Sequence, residues 1–396
     1  MTVHDSYRRN PRALREQACK PSAKSPRDRL KRETRLQKES ILATNQIILV
    51  SNLEVSYRTF RGNLKAVDDV SLALDHAKIY ALVGESGCGK STLGLSLSRL
   101  LPEKRVIYSG KVVCKGTNLL AIKEKEVERF RGTEIANVFQ EPMTSLNPVY
   151  KVGEQMAEAL GVKRHRDAIV NNSVIKPQLP KHLLGVSEDG PLMRFRRHTI
   201  YQQFADEVND LLSKVKIPNP ERVANMYPHE LSGGMKQRVM IAMAIAEKPS
   251  LLVADEPTTA LDVTTQTSIL ELIGSLKENY GMSVLLIAHD LGVVAAVADY
   301  IYVMYAGKIV EEAPKKELFD NPLHPYTIGL TGSFPKGRKG ETVLKTIPGT
   351  VPQLGRYPSG CRFHPRCEKA FDKCPLNVPS LIAVSENHKV ACYLYG

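Results

Sequence analysis

The sequence lacks long apolar segments. Across its 396 residues there is no run of about 18 apolar residues free of charge, so no part of the chain is predicted to span a bilayer. The N-terminal region also lacks the apolar core of a secretory signal peptide. We therefore expect a cytoplasmic protein whose contact with any membrane comes through partners. No internal repeat is present, and the length suits one large α/β domain with an appendage.

A glycine-rich loop stands between a predicted strand and a predicted helix. Residues 84–91 fit the pattern G-x-x-x-x-G-K-[ST], follow the apolar run Ile79–Val83 and precede a leucine-rich segment, 91–101, that has no proline. Such glycines let backbone N–H groups wrap a phosphate, and the helix N-terminus adds partial positive charge. We expect Lys90 to reach the β- and γ-phosphates and Ser91 to bind Mg²⁺. The predicted ATP-contacting residues of this loop are Gly84, Glu85, Ser86, Gly87, Cys88, Gly89, Lys90, Ser91 and Thr92.

Two carboxylates follow a second apolar run. Residues 251–254 are apolar without alternation, as in a strand buried on both faces of a parallel sheet. Taken alone, Asp255 and Glu256 suit an acid-capped strand end equally well. Beside the glycine loop, they are better explained if Asp255 holds Mg²⁺ through water and Glu256 is the general base for the attacking water.

Two polar residues end further predicted strands. His289 follows the strand-like residues 283–288 and is placed to sense the γ-phosphate, although a histidine there is more often a structural hydrogen-bonding residue. Gln140 follows residues 135–139 and opens a proline-bearing loop. A glutamine in that place is expected to reach both Mg²⁺ and the attacking water.

A second anion-binding turn precedes the predicted helix 235–247. Its residues are Leu231, Ser232, Gly233, Gly234 and Met235. A Ser-Gly-Gly turn at a helix start binds anions for the same reason as the first loop. One chain with two phosphate-binding turns suggests two chains facing head to tail, each completing the site of the other.

These motifs, in this order, resemble those of the ATP-binding cassette (ABC) ATPases over about residues 47–325. The resemblance implies an α/β fold: a P-loop ATPase domain with a mixed sheet, a RecA-like core and a helical subdomain. It makes 84–92 the Walker A loop, 231–235 the signature that contacts the partner chain's ATP, and 260–262 the D-loop, with Asp262. The single residues it assigns are Gln140 (Q-loop), Asp255 (Walker B), Glu256 (catalytic base), His289 (switch histidine) and Tyr57 (adenine stacking, with Phe60 the weaker candidate). The family usually has Gln where this chain has Met235, so the fine tuning of that half-site is expected to differ.

The C-terminal region resembles the extension of dipeptide/oligopeptide importer ATPases. The matching segments are 321–327 (NPLHPYT), 347–349 (IPG), 351–354 (VPQL) and 360–367 (GCRFHPRC). The resemblance implies a subunit at the cytoplasmic face of the membrane that hydrolyses ATP to import di- or oligopeptides. Its implied partners are a second ABC ATPase in a heterodimer, two transmembrane permeases and an extracytoplasmic peptide-binding protein.

Other functions share parts of this pattern. Nickel, oligosaccharide and glutathione importers carry the same extension. Soluble ABC ATPases that act on ribosomes or DNA share basic charge and iron–sulfur sites. Those proteins generally carry two cassettes or a long coiled-coil insertion, and neither occurs here, so no nucleic-acid partner is expected.

Four of the seven cysteines lie in the last 36 residues, and none forms a C-x₂₋₄-C pair. They are Cys361, Cys367, Cys374 and Cys392, with gaps of five, six and seventeen residues. Four thiolates suit a [4Fe–4S] cluster, which related importer ATPases carry at matching cysteines. Zinc and free thiols stay open as alternatives. Flanking cations were expected to offset the cluster charge: Arg362, Arg366, Lys369, Lys373 and Lys389.

Charge and proline content divide the rest of the chain. The net charge is +13, and residues 1–40 hold twelve Lys/Arg against five Asp/Glu. We predict a basic, largely disordered extension over residues 1–44, with a helix over 28–38; it is either simply solvated or in contact with anionic headgroups or the complex. The ATPase domain is predicted over 45–325, with a helical subdomain at about 141–240. Within this subdomain, helices are predicted over 149–160 and 201–214, and a long basic insertion without predicted structure lies between them, over 161–200. The extension occupies 326–396.

Overall fold

The computed structural model describes residues 45–60, 62–140, 145–170, 191–259, 261–332 and 347–396, with the side chains of 162–170 and 191–198 not described. The N-terminal extension predicted over 1–44, with its helix, lies outside these residues. Residues Asn45–Gly396 form one compact unit.

The described chain folds into two sheets and a set of helices. The strands are β1 (Gln46–Thr59), β2 (Gly62–Asp75), β3 (Ile79–Val83), β4 (Val106–Cys114), β5 (Thr117–Asn118), β6 (Ile135–Val138), β7 (Leu251–Asp255), β8 (Ser283–Ala288), β9 (Tyr300–Tyr305), β10 (Lys308–Pro314), β11 (Ile382–Ser385) and β12 (His388–Val390). The helices are α1 (Lys90–Leu97), α2 (Glu124–Val127), α3 (Val152–Val170), α4 (Pro191–Lys214), α5 (Pro220–Ala224), α6 (Gly233–Ile245), α7 (Val263–Tyr280), α8 (Leu291–Val297), α9 (Lys315–Asp320) and α10 (Pro325–Gly332).

The larger sheet brings the predicted site strands side by side. Its order is β11-β12-β10-β9-β3-β8-β7-β6, and the strands from β9 to β6 are parallel. β3 and β8 are buried along their whole length, as their continuous apolar sequences predict. Because parallel strands end at one edge, the loops after β3, β6, β7 and β8 meet there. The predicted α/β class with a mixed sheet is confirmed.

The smaller sheet is antiparallel, with the order β2-β1-β4-β5. It packs its apolar face on one side of the larger sheet. Leu93 and Leu97 of α1 are fully buried in the same core as Val55 and Val112 of the smaller sheet. α1 is thereby held between the two sheets, which fixes the loop that precedes it.

The helical part is longer than predicted. The helices expected over 149–160 and 201–214 are extended by α3 to Val170 and by α4 back to Pro191. The expectation of a structureless insertion over 161–200 is therefore wrong at both ends, while 171–190 lies outside the described residues. Proline suits the first turn of a helix, because its missing N–H has no intrahelical partner there, so Pro191 begins α4 rather than interrupting it.

Other boundaries differ by a few residues. The helix predicted over 91–101 ends at Leu97, and Arg99 shortly after it adopts a left-handed φ of +50°. The helix predicted from Met235 begins at Gly233, and the strand predicted to Phe139 ends at Val138. Among the described residues, no helix is both long enough and apolar enough to cross a membrane.

The C-terminal extension adds strands to the larger sheet instead of forming a separate body. β12 pairs with β10, and β11 pairs with β12. Glu311 of β10 is fully buried. One oxygen of its carboxylate accepts from the Leu323 N–H (2.8 Å) and meets His388 Nε2 (2.7 Å), and the other accepts from the His324 N–H (2.8 Å). One buried carboxylate thus joins the sheet, the segment before α10 and the last strand.

Candidate nucleotide site

The phosphate loop, residues 84–91, leaves the carboxyl end of β3 and enters α1. Two of its glycines have no room for a side chain. A Cβ on Gly84 would lie 2.2 Å from the Met304 carbonyl oxygen, and one on Gly89 would lie 2.5 Å from that of Ala66. Gly89 also has a φ of +106°, which glycine adopts readily. The loop therefore depends on glycine both for its path and for its fit against β9 and β2.

Lys90 and Cys88 have different surroundings within this loop. The Lys90 side chain is buried, and its Nζ donates to the carbonyl oxygens of Gly84 (2.8 Å) and Glu85 (3.1 Å), so the ammonium lies inside the curve of the loop. Cys88 is fully buried, and burial raises the pKa of its thiol. Cys88 is a packing residue, and only its backbone is left to meet a phosphate.

Asp255 at the end of β7 has the environment of a cation ligand. Its Oδ1 is buried, and no described residue donates a hydrogen bond to it. Burial raises the pKa of this carboxyl, and the neighbouring Glu256 acts in the same direction, whereas a hydrogen bond with the Ser91 side chain opposes both. Oxygen ligands of this kind are what Mg²⁺ takes. Ser91 and Asp255 therefore fit a magnesium ion.

Polar residues that follow three neighbouring strands meet at the Glu256 carboxylate. Its Oε2 accepts from Gln140 Nε2 (2.9 Å) and Thr259 Oγ1 (3.0 Å), and lies 3.2 Å from His289 Nδ1. Its φ is +45°, and its N–H donates to the Ile287 carbonyl (3.0 Å), so the backbone turns sharply at this residue. The structure thus brings together Gln140, Glu256 and His289.

The predicted signature turn is built as a helix cap. The Ser232 hydroxyl accepts from the Met235 N–H (3.3 Å), and a Cβ on Gly234 would lie 2.6 Å from Thr265 Cγ2. Asp262, which caps α7, accepts from the N–H (3.0 Å) and the hydroxyl (2.6 Å) of Thr265. The turn and the D-loop residue therefore pack on the same end of α7; Ala260 lies outside the described residues.

The structure does not unite the two anion-binding turns. In the described part of the chain, no hydrogen bond or ion pair joins residues 231–235 to residues 84–92. Two elements of the predicted site are present in one chain but stay separate within it.

Of the two adenine candidates, Tyr57 lies near the start of α1. The Tyr57 hydroxyl is 3.0 Å from Thr92 Oγ1, and the ring is partly buried against the core of the smaller sheet. Phe60 is 94% exposed. The contact of either ring with adenine stays a prediction.

Three residues of the site were not predicted from the sequence. The Thr259 hydroxyl is the second donor to Glu256. Its position in the Pro-Thr-Thr sequence directly after the two carboxylates could have indicated this role. Tyr326 and Arg366 reach Glu85 of the phosphate loop from the C-terminal extension. Their separations from Glu85, of 241 and 281 residues, left no local signal.

The four clustered cysteines line one small cavity, together with His324, Phe363 and other side chains. Burial raises the pKa of Cys361 to about 11 and also raises those of Cys367 and Cys392. Within the described ranges, no three His, Cys, Asp or Glu side chains form a group placed to hold a metal ion.

Three of the five flanking cations form ion pairs outside the cysteine cavity, while their role in offsetting a cluster charge stays a prediction. Arg362 pairs with Asp68, Arg366 with Glu85 and Lys389 with Glu312. These pairs attach the extension to the rest of the chain, since Asp68 lies in β2, Glu312 in β10 and Glu85 in the phosphate loop.

Comparisons with known proteins agree with this geometry. Residues 67–259 match the family model described as ABC transporter, and residues 310–374 match that described as oligopeptide/dipeptide transporter, C-terminal region. A putative peptide import ATP-binding protein of Brucella ovis is 43% identical over 364 residues, which cover 89% of this chain and 98% of the relative. The dipeptide transport ATP-binding protein DppD of Bacillus subtilis is 41% identical over 350 residues, covering 88% and 95%. Among solved structures, a dimeric post-hydrolysis state of the ATP-binding cassette MJ0796 bound to ADP and Pi aligns with a TM-score of 0.51 and 25% identity, covering 68% of this chain and 98% of that one.

Proposed function

We propose that this chain, which belongs to the ATP-binding proteins of the ABC transporter family, powers the import of di- or oligopeptides across the cytoplasmic membrane. It is an ATPase with the ABC fold. The observation that carries the cargo class is the C-terminal region, whose match to the oligopeptide/dipeptide transporter model spans residues 310–374. We take 45–325 as the ATPase domain, with its helical subdomain at about 141–240, and 326–396 as its extension.

The geometry supports a division of roles among the site residues. The phosphate loop and Lys90 bind the phosphates of ATP. Ser91 and Asp255 would hold Mg²⁺, which would supply positive charge next to the phosphates when bound. Glu256 accepts a proton from the attacking water. Gln140 and Thr259 donate to one oxygen of Glu256, and His289 Nδ1 lies 3.2 Å from the same oxygen, so these three residues orient the carboxylate.

A second chain completes the site. The turn 231–235 carries a helix N-terminus that does not meet the phosphate loop of its own chain, so its anion is the ATP of a partner ATPase, in a heterodimer. Closure of the two subunits around ATP moves the helical subdomains, with Gln140 as the hinge. Because ATP contacts differ between open and closed pairs, ATP binding supplies free energy to the movement.

The remaining partners follow from an import machine. Two transmembrane permeases dock near residues 141–160, and an extracytoplasmic binding protein delivers the peptide. The chain lies at the cytoplasmic face of the membrane through the permeases. Nickel, oligosaccharide or glutathione import by the same machine is the alternative. A soluble ATPase that acts on ribosomes or DNA is the remote one, and co-purification of permeases rather than nucleic acid separates them.

The variant Glu256→Gln tests the assigned base. In the complex reconstituted with labelled dipeptide, it is expected to keep ATP binding and to lose hydrolysis by about 10²–10⁴-fold, together with uptake, because a general base contributes on that order. Glu271→Gln, an exposed change on α7, is the matched control and is expected to leave both unchanged. Wild-type hydrolysis in Glu256→Gln would refute the assignment, and uptake of nickel but not peptide would refute the cargo.

We further propose that Cys361, Cys367, Cys374 and Cys392 hold a [4Fe–4S] cluster, with zinc as the alternative. Two observations support a cluster: the four thiols line one cavity, and the donor set is all sulfur. A cluster binds each thiolate to a different iron, so it accepts ligands that are farther apart than those of one ion. When bound, it would cross-link four points of the extension.

Anaerobic purification tests the cluster. The protein is expected to absorb near about 400 nm and to contain iron, and Cys374→Ser is expected to lose both. Cys19→Ser serves as the control, since Cys19 lies far from the other four in the sequence. Zinc at one equivalent without iron would favour the alternative, and a metal-free protein would leave the free thiols.

A further inference from the structure

The C-terminal extension contacts Glu85 of the phosphate loop in two ways. The backbone N–H of Glu85 donates to the Tyr326 hydroxyl at 2.8 Å. The Glu85 carboxylate forms a bidentate ion pair with Arg366: Nη1 donates to Oε2 (2.7 Å) and Nη2 donates to Oε1 (3.0 Å). Both the backbone and the side chain of this loop residue are therefore held from outside the loop.

Both partners of Glu85 are themselves held. Tyr326 is fully buried, and its ring packs on those of Tyr305 and Phe363 at centroid distances of 4.7 and 5.4 Å. Arg366 is 8% exposed. Its other contacts are with the Pro348 carbonyl (2.7 Å), the Gly349 carbonyl (3.3 Å) and the Tyr305 hydroxyl (3.3 Å).

The contact lies where loop shape matters most. Glu85 directly follows Gly84, at which an added Cβ would lie 2.2 Å from the Met304 carbonyl oxygen, so the backbone there packs closely on β9. The carbonyl of Glu85 also accepts from Lys90 Nζ at 3.1 Å. A shift of Glu85 would therefore move the lysine that is assigned to the phosphates.

We propose that Arg366 and Tyr326 are positioning residues for the phosphate loop, so that the affinity for ATP depends on the C-terminal extension. They do not touch the nucleotide; they act through Glu85. The inference rests on the proposed role of the loop in holding ATP. This role differs from merely attaching the extension to the ATPase domain, because other contacts already do so. Among them are those of Glu311 and the pair between Arg362 and Asp68.

The test measures ATP binding by the full chain, together with KM and kcat for ATP in the assembled complex. Arg366→Lys keeps the positive charge but cannot form the bidentate pair of hydrogen bonds with the Glu85 carboxylate. Tyr326→Phe removes a single oxygen. We expect each to weaken ATP binding and raise KM by about tenfold, or about 1.4 kcal/mol, with kcat little changed.

A matched control and a double variant separate positioning from anchoring. Arg362→Lys alters an arginine–carboxylate pair of the same extension that does not reach the loop, and is expected to bind ATP as the wild type does. Glu85→Gln combined with Arg366→Lys is expected to be no weaker than the worse single variant, because both changes act on one contact.

Three results would overturn the inference: single variants with wild-type ATP affinity, additive losses in the double variant, or an equal loss in Arg362→Lys. If Arg366→Lys fails to fold, Tyr326→Phe still decides. A wild-type chain that does not bind ATP would instead refute the ATP site itself.

Discussion

Replacing Glu311 by alanine is expected to detach the C-terminal extension from the larger sheet. The carboxylate is fully buried and serves two backbone N–H groups and His388. Alanine leaves the Leu323 and His324 N–H groups unpaired in the interior, at a cost of about 1–3 kcal/mol each. Loss of the nearer of the two carboxylates at the buried His388 adds to this. We expect a total loss of about 3–5 kcal/mol in the free energy of unfolding.

Urea unfolding followed by circular dichroism measures this loss, because the chain has no tryptophan to report by fluorescence. With a slope of about 3 kcal/mol per molar urea, the midpoint is expected to fall by more than about 1 M. Glu311→Gln keeps an acceptor oxygen and is expected to lie between alanine and the wild type.

Glu312→Ala is the matched control for Glu311→Ala. Glu312 is the next residue of β10, and its carboxylate pairs with the half-exposed Lys389 at 2.7 Å. Its replacement is expected to cost less than about 2 kcal/mol, since exposed partners recover their hydration. Equal midpoints for the two alanine variants would refute the assignment of Glu311 as the buried junction.

Three further predictions concern pH, the phosphate loop and the metal. Burial lowers the pKa of His324 to about 3, so only the unfolded chain binds this proton as pH falls below about 6.5, and stability falls by up to about 1.4 kcal/mol per pH unit. His324→Asn is expected to reduce the fall of the urea midpoint between pH 7 and pH 5. A fall as large as in the wild type would contradict this. Gly84→Ala is expected to abolish ATP binding, measured by calorimetry. At Gly87 an added Cβ meets no atom within 4 Å, so Gly87→Ala is expected to lose less affinity for ATP. Weaker binding by Gly87→Ala than by Gly84→Ala would contradict this prediction. Asp255→Asn is expected to raise the Mg²⁺ concentration for half-maximal hydrolysis by about 10–100-fold, and an unchanged requirement would place the ion elsewhere.

That Gln140, Glu256 and His289 lie together could be predicted from the sequence, because it follows from a simple rule of parallel sheets. Gln140, Glu256 and His289 each follow an apolar run, and parallel strands bring such ends to one edge. The bounds of β3 and β8 were predicted correctly for a similar reason: fully buried strands have continuous apolar sequences, bounded by polar residues.

The ends of the insertion and the partner of Arg366 could not be predicted, because they depend on tertiary contacts that leave no local pattern in the sequence. The helical ends of the predicted insertion were missed because polar helices and polar loops have similar composition over 161–170. Arg366 was assigned to the cysteines beside it, whereas its guanidinium binds Glu85, 281 residues away. Which carboxylate an arginine selects is decided by how the extension docks, and short stretches of sequence do not contain that information.

Arg366 and Cys367 are consecutive residues, so their Cα atoms are about 3.8 Å apart. If Cys367 binds a metal as proposed, a change of ligand at its thiol is therefore expected to move the backbone that carries the Arg366 guanidinium, which contacts Glu85 of the phosphate loop. We therefore expect the proposed site at the cysteines and the proposed ATP site to be coupled through this short segment. A substitution that survives in the cysteine segment must be tolerated by both.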